Sequence, residues 1–274
     1  MNRPMKGPDF SLTFRMPYPM FTLRCRVYFE WHFFNPITIV VPWKIMKILG
    51  IDTSSPAGSV ALLDNKRIIS ESTLGGSQAY SHSILEEVDG LLNRSQTKLK
   101  DLEGFAITNG PGSFTGLRVG MSLLKGLVMA TEKPFAAVNT LDAYAETVKT
   151  GSYLICPILD ARKKEVYTAL FNSNNYLYQR KTPDQAITPE KLCDQISQPT
   201  VFVGNGLEVY KNTFISLLKE NYMHNTPMKN LTVAASAGLI ASRNLKKSFS
   251  YNLDSLTINY TRPSEAELNY TASK

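Results

Sequence analysis

A glycine-rich run, Asn109 to Arg118, is the part of this sequence whose residue types and spacing best suit the binding of an anion. It follows a strand-like apolar segment, Gly104 to Thr108, and precedes a helix-like segment, 117–130. Backbone N–H groups at the start of a helix have no intrahelical partner and can face a negatively charged group. The spacing fits neither GxxxxGK[ST] nor GxGxxG, so a ligand loop and a tight structural turn remain equal alternatives. The anion-binding hypothesis names Gly110, Gly112 and Ser113.

A second candidate for nucleotide or anion binding is Asp52-Thr53-Ser54, which ends the buried strand predicted at Ile48 to Ile51. The alternative is that Asp52 and Thr53 cap the strand end through side chain to backbone hydrogen bonds. The charged run 160–165 favours a solvated hairpin turn, although its adjacent cations could form an anion patch. Arg262 either contacts a phosphate or pairs with a carboxylate.

Metal chemistry has little to build on in this chain, so no metal site is predicted. The histidines are His32, His82 and His224, and they form no HExxH or HxxxH pair. The three cysteines are far apart and form no CxxC, which fits a reducing compartment. His82 is interpreted as a residue at a helix start and not as a catalytic base. No catalytic residue is predicted.

The net charge of +7 is unevenly distributed along the 274 residues. Residues 1–45 contain six Lys/Arg and two Asp/Glu, so the remaining chain carries only +3 and does not require a nucleic-acid-binding face. The same 45 residues hold both tryptophans and six of the 15 prolines, with no regular period. We therefore expect them to be a misassigned start or a flexible arm. No apolar run approaches the roughly 20 residues of a membrane-spanning helix.

Regular patterns begin at Lys47 and predict an alternation of strands and helices. Each half opens with a strand followed by a hairpin, at 48–71 and at 153–171, which suggests a duplicated α/β unit with a boundary near residue 150. Helices at 84–92 and 117–130 carry apolar residues at helical spacing. Those residues either pack in the core or form a partner-binding surface, and they are Ile84, Leu85, Val88, Leu91, Leu117, Met121, Leu124 and Val128. Gly116 and Gly120, four apart, would permit close approach of another helix.

Several motifs in this order and spacing resemble those of the TsaB family, also called YeaZ. The resemblance covers about 46–268 and rests on the runs 48–55, 58–62, 82–83, 109–118, 159–167 and 260–267. It implies the duplicated α/β fold of actin, sugar kinases and Hsp70-type ATPases (the ASKHA fold), with lobes at 46–150 and 151–274. In the wider superfamily the turn at Asp52 faces nucleotide phosphates, and the Asp holds metal-bound water.

The resemblance also implies a function. The chain would be a non-catalytic, cytoplasmic subunit of the complex that makes threonylcarbamoyladenosine in tRNA, and it would bind and activate a TsaD-like catalytic subunit through helices 84–92 and 117–128. ATP and a metal ion would belong to the partners, which include a TsaE-like ATPase, and tRNA would be bound indirectly. A homodimer is possible. The alternative is a self-sufficient ATP-dependent kinase or hydrolase of the same fold, and a metallopeptidase is disfavoured because it lacks a pair of ligands.

Overall fold

The computed structural model describes residues 46–74, 80–174, 178–224, 226, 228–243 and 249–262, all within one compact unit. The predicted N-terminal extension, residues 1–45, lies outside the described residues, so its expected character is untested. Among the described residues, no helix is long and apolar enough to cross a membrane.

The first sheet has five strands in the order β3-β2-β1-β4-β5. Its strands are β1 (Lys47–Asp52), β2 (Ser59–Asp64), β3 (Arg67–Thr73), β4 (Gly104–Thr108) and β5 (Phe135–Val138). β1 pairs antiparallel with β2 and parallel with β4, so the carboxyl ends of β1 and β4 lie at the same edge. That edge carries the Asp52 turn and the glycine-rich run.

Helices cover both faces of this sheet because the central strands are apolar on both faces. α1 (Tyr80–Arg94) and α2 (Phe114–Thr131) pack on one face, against Leu49 and Phe105 among others. α3 (Thr140–Glu146) and α6 (Val233–Arg243) pack on the other face. A Cβ at Gly50 would overlap the backbone carbonyl of Ala234, so the glycine permits the close approach of α6 to β1.

The second sheet is built around β6 (Leu154–Asp160). Its other strands are β7 (Val166–Thr168), β8 (Phe171–Ser173), β9 (Tyr178–Arg180), β10 (Gln185–Ile187) and β11 (Thr200–Val203). β7 and β8 continue a single antiparallel register along β6, from Leu159↔Tyr167 to Ile155↔Phe171. They are therefore two parts of one strand, and the hairpin predicted at 153–171 is confirmed.

The second sheet repeats the pairing of the first. β6 pairs antiparallel with the β7–β8 strand and parallel with β11, as β1 does with β2 and β4. α4 (Pro189–Cys193) and α5 (Leu207–Leu218) cover one face, and α3 packs on the other. This repeat confirms the predicted duplicated ASKHA fold with two lobes, whereas the domain boundary near residue 150, between α3 and β6, stays a prediction.

Candidate functional site

Asp52 is completely buried at the end of β1. Its Oδ1 accepts hydrogen bonds from the Ser54 amide at 3.1 Å, the Ser54 hydroxyl at 2.6 Å and the Thr108 hydroxyl at 2.6 Å. Its Oδ2 has no hydrogen-bond partner among the described residues. Burial raises the pKa of the carboxyl above its ordinary value, although these hydrogen bonds oppose the shift. Asp52 thus caps the end of its strand and is sealed from solvent.

The glycine-rich run covers the Asp52 turn and packs closely against it. The Ser113 amide donates to the Ser54 carbonyl at 2.7 Å. A Cβ at Gly112 or Gly116 would overlap the carbonyl of Ser54 or Thr53, respectively. The run is therefore a tight packing joint, as one of the two interpretations of the sequence proposed.

Gly120 makes the same kind of contact one turn further along α2, because a Cβ there would overlap the Thr53 side chain. Gly116 and Gly120 therefore do not provide the close approach of another helix that their spacing suggested. Both glycines admit the Asp52 turn of their own chain.

Gly110, the remaining glycine of the run, connects this packing joint to the start of α3 through hydrogen bonds. Its φ of +115° is a conformation that suits glycine. Its amide donates to the Thr140 hydroxyl at 3.1 Å, and its carbonyl accepts from the Thr140 amide at 2.9 Å. The Asn259 amide donates to the Asn109 carbonyl at 2.7 Å, so the C-terminal segment crosses directly over the joint.

A cleft of about 560 Å³ opens beside the joint. The start of α2, the turn after β6 and the C-terminal segment form its walls. Of the six residues predicted to bind a nucleotide or anion, Ser54, Gly112 and Ser113 line the cleft. The other three, Asp52, Thr53 and Gly110, are buried behind it.

The turn after β6 has an unusual backbone. Arg162, Lys163 and Lys164 have φ values of 60°, 53° and 61°, a run of left-handed conformation that is costly for residues with a Cβ. Arg262 supports this turn, since its guanidinium lies 2.8 Å from Glu165 Oε2 and 3.0 Å from the Ala161 carbonyl. Of the two roles proposed for Arg262, the structure shows pairing with a carboxylate.

A polar network that no local sequence pattern predicts joins the two halves of the fold. Arg180 lies 2.6 Å from Asp184 and 2.9 Å from Asp142 of α3. The side-chain amides of Asn139 and Asn259 both donate to Asp184 Oδ2, at 2.6 and 2.7 Å. Its members lie up to 120 positions apart, which is why no local pattern reveals it.

The helix residues predicted to bind a partner are mostly core residues. Seven of the eight are buried, namely Ile84, Val88, Leu91, Leu117, Met121, Leu124 and Val128. All of them except Leu117 belong to the cluster on the first sheet, because a helical apolar period marks the face turned toward the helix's own core. Core packing, one of the two alternatives that their spacing left open, therefore describes these seven residues in the chain itself. Leu85 is the exception, with 52% of its surface exposed.

The solvent side of α1 and α2 carries a groove of about 470 Å³. Leu85, Phe114, Val119 and Leu123 give it an apolar lining, and Arg118 lies at the end where the groove meets the cleft. The groove therefore offers apolar surface on the two helices for which a partner was predicted, with Leu85 the exposed member of the predicted set.

Within the described residues, no group of three or more His, Cys, Asp and Glu side chains has an arrangement that could hold a metal ion. His82 lies within α1, and its side chain is outside the description. The Cys156 thiol is buried beside the Thr168 hydroxyl at 3.3 Å, and burial raises its pKa to about 12. Cys156 is therefore a neutral core residue.

Comparison with known proteins identifies the family. A family model described as "TsaD: tRNA N6-adenosine threonylcarbamoyltransferase" matches residues 68–270. The chain is 28% identical to the tRNA threonylcarbamoyladenosine biosynthesis protein TsaB of Bacillus subtilis, over 84% of this chain and 100% of that protein. It is 33% identical to the protein of the same name from Escherichia coli, over 60% of this chain and 74% of the relative.

The fold has a solved counterpart. A Pseudomonas aeruginosa crystal structure, described as similar to peptidase YeaZ, superposes with a TM-score of 0.66 at 21% identity and covers 80% of this chain and 100% of that one. The similarity in fold agrees with the similarity in sequence. The chain belongs to the TsaB (YeaZ) family, within the wider family that the TsaD model describes.

Proposed function

We propose that this chain is a non-catalytic subunit of the complex that synthesises threonylcarbamoyladenosine in tRNA, and that it binds and activates a TsaD-like catalytic subunit. Its curated relatives are named for this biosynthesis. The family model that matches it is named for the transferase itself. Two related chains with the same fold can present the same pair of helices to each other, which makes a heterodimer of this kind geometrically simple.

The observation that carries the proposal is a glycine on the outer face of α2. Gly126 is exposed in the middle of the helix, and a Cβ added there would meet nothing within 4 Å. A glycine at such a position costs about 1 kcal/mol of helix stability relative to alanine. The fold of the chain itself does not require it. We infer that it admits a closely packed helix of the partner, together with the small, exposed Ser122 one turn earlier.

Apolar surface flanks this small-residue contact. Leu85 and Phe114 are 52% and 37% exposed in the groove, and Met129 is 73% exposed further along α2. Apolar area removed from water is worth about 25 cal/mol per Å². A partner helix pair laid across α1 and α2 would bury these side chains while its backbone approached Gly126.

In this proposal the partner subunits carry out the chemical reaction of the complex. A self-sufficient kinase or hydrolase, the alternative function, would need a free carboxylate in the cleft. Asp52 is fully buried and bonded to Ser54 and Thr108, and Asp160, which lines the cleft, is paired with Arg162. ATP and a metal ion would act in the partner subunits, which include a TsaE-like ATPase, and tRNA would bind through the complex. The same helical face could also pair two copies of this chain, and a cytoplasmic location follows from the role.

The test is a pair of substitutions at Gly126. We expect Gly126→Ala to raise the thermal stability of the isolated chain, because alanine is the better helix former. We expect Gly126→Leu to leave the chain folded and to weaken the complex with the TsaD-like subunit by about tenfold or more, since each factor of ten corresponds to only about 1.4 kcal/mol. Modification of tRNA by the reconstituted complex should fall in parallel.

Ser216→Leu is the matched control, because it also replaces a small residue by leucine at an exposed position of another helix, α5. Its affinity for the partner should equal that of the unmodified chain. If folded Gly126→Leu binds the TsaD-like subunit as tightly as this control does, then α2 is not the interface.

A further inference from the structure

We propose that the cleft binds a phosphate group of a small anionic ligand through Arg118 and Arg162, without a metal ion and without the Asp52 turn. This site goes beyond the proposed partner role and does not depend on it.

The cleft has the size and lining of a ligand site. Its volume of about 560 Å³ falls within the range of roughly 300–1,000 Å³ that is usual for small-molecule pockets. Tyr167, Tyr260 and Phe114 supply aromatic surface. Phe114 and Tyr260 lie with ring centroids 5.4 Å apart, so this wall is already packed.

Positive charge dominates the lining. Three arginines, Arg118, Arg162 and Arg262, face one carboxylate, Asp160. Arg262 is committed to Glu165 and to the turn after β6. The other two guanidiniums are therefore the ones that remain for a ligand.

Arg118 and Arg162 are only weakly engaged within the chain. The Arg162 side chain is 85% exposed and lies 3.4 Å from Asp160, a surface pair of low strength. Arg118 donates from Nε to the Tyr260 hydroxyl at 3.3 Å and lies over the Phe114 ring. Its two terminal nitrogens have no hydrogen-bond partner among the described residues, and an arginine presents such paired donors well to a phosphate.

Backbone N–H groups at the start of α2 are further hydrogen-bond donors in the cleft. The amides of Phe114 and Thr115, in the first turn of α2, have no hydrogen-bond partner in the described part of the chain. Both residues line the cleft. The Thr261 hydroxyl, in the C-terminal segment that also lines the cleft, is without a partner among the described residues. A phosphate between Arg118 and Arg162 would meet donors from the side chains and from the start of a helix.

The same geometry argues against a site at Asp52. The glycine-rich run covers the Asp52 turn so closely that added Cβ atoms would overlap it. The carboxylate therefore has no open face toward the cleft on which to hold a metal ion or its water. The donors that are open are cationic or N–H groups, which bind a phosphate directly.

The experiment is titration calorimetry of the complete chain, without partners, with pyrophosphate in EDTA. We expect binding that weakens as ionic strength rises. We expect Arg162→Gln and Arg118→Gln each to lower the affinity about tenfold or more, because each removes charge-assisted hydrogen bonds. Arg67→Gln, at an exposed arginine that begins β3, is the control and should bind as the unmodified chain does. Circular dichroism verifies that each variant is folded.

Adenosine 5′-triphosphate and a short oligoribonucleotide are the comparison ligands. Tighter binding of the nucleotide than of pyrophosphate would support the site and assign a role to its aromatic wall. The proposal is overturned by the absence of pyrophosphate binding, by binding that requires magnesium, or by equal losses in Arg162→Gln and Arg67→Gln. Binding of the oligoribonucleotide alone would also overturn it. Because no partner is present, failure here leaves the Gly126 test unaffected, and Arg162 lies outside the α1–α2 groove.

Discussion

Leu85 and Val88 are neighbours on α1, and a glutamate at each should have opposite consequences. Both carry the apolar character that marks a partner surface in the sequence. The structure separates them, because Leu85 is 52% exposed and Val88 only 2% exposed. We expect Val88→Glu to unfold the isolated chain and Leu85→Glu to leave it folded but unable to bind its partner well.

The cost at Val88 can be worked from its burial. Removing a fully buried aliphatic side chain loses about 1.5–3 kcal/mol of transfer free energy. Val88 packs in the cluster of Leu62, Leu91 and Leu124, so a carboxylate there would have no counter-ion nearby and would cost several kcal/mol more. The sum approaches the whole stability of about 5–15 kcal/mol that a typical domain possesses.

The cost at Leu85 appears only in the complex. About half of the side chain is still in water, so a partner that buries it would gain roughly 1 kcal/mol, about half of the full transfer free energy. A carboxylate forced into the same contact loses this gain and must also be desolvated. We expect the combined loss to be about 3 kcal/mol, which corresponds to a dissociation constant about a hundredfold higher.

Two measurements decide the outcome. Circular dichroism with thermal unfolding gives the stability of each isolated variant, and calorimetry against the TsaD-like subunit gives the affinity of each folded one. The reasoning is refuted if Val88→Glu melts like the unmodified chain. It is equally refuted if folded Leu85→Glu binds the partner with unchanged affinity.

Two further predictions concern the packing joint. Gly116→Val should lower the free energy of unfolding by about 1–3 kcal/mol or more, because its branched side chain would overlap the Thr53 carbonyl; denaturant titration measures this, and an unchanged midpoint would contradict the assigned contact. Burial holds the pKa of the Asp52 carboxyl above its unfolded value near 3.8, so the stability that the protonated form contributes is complete below that value and is lost as pH rises through the folded pKa. Asp52→Asn should remove this part of the pH dependence of the unfolding free energy, and identical pH profiles for the two proteins would refute it.

Elements with strong local patterns were predictable from the sequence. The hairpin at 48–71, the helices at 84–92 and 117–130 and the strand pair at 153–171 all occur, with boundaries that shift by a few residues. The period of the apolar residues is enough to predict these elements. The alternation of a strand and the spacing of three to four residues in a helix depend only on residues that are close together in the chain.

Of the residues predicted to form a partner surface, Leu85 is exposed on the proposed interface, whereas the other seven are buried in the chain itself. Ile84, Val88 and Leu91 repeat at helical spacing and form the inward face of α1, so the period that made them conspicuous also identifies them as core. Leu85 lies off that period. The exposed face of a helix has no period of its own that distinguishes a partner surface from a solvated one.

The cleft could not be predicted because its arginines come from three distant parts of the chain. Arg118 belongs to α2, Arg162 to the turn after β6, and Arg262 to the C-terminal segment. Only the pairing of β1 with β4 and of β6 with β11, together with the crossing of the C-terminal segment over Asn109, brings them to one cavity. Each arginine in isolation is an ordinary surface residue.

A glycine in a sequence indicates a position where a Cβ is unnecessary or sterically excluded. It does not show which atoms, if any, occupy the space of the missing Cβ. At Gly112, Gly116 and Gly120 the place is filled by the Asp52 turn, so these residues are explained by the chain's own packing, and the glycine-rich run does not need a ligand to account for it. At Gly126 the space of the missing Cβ is empty, and the glycine makes the helix less stable than an alanine would. The sequence interpretation placed Gly112 in an anion-binding loop and Gly116 and Gly120 at a close helix approach, and it assigned no role to Gly126. Only the neighbouring atoms separate a joint within the fold from a position that another molecule is free to approach.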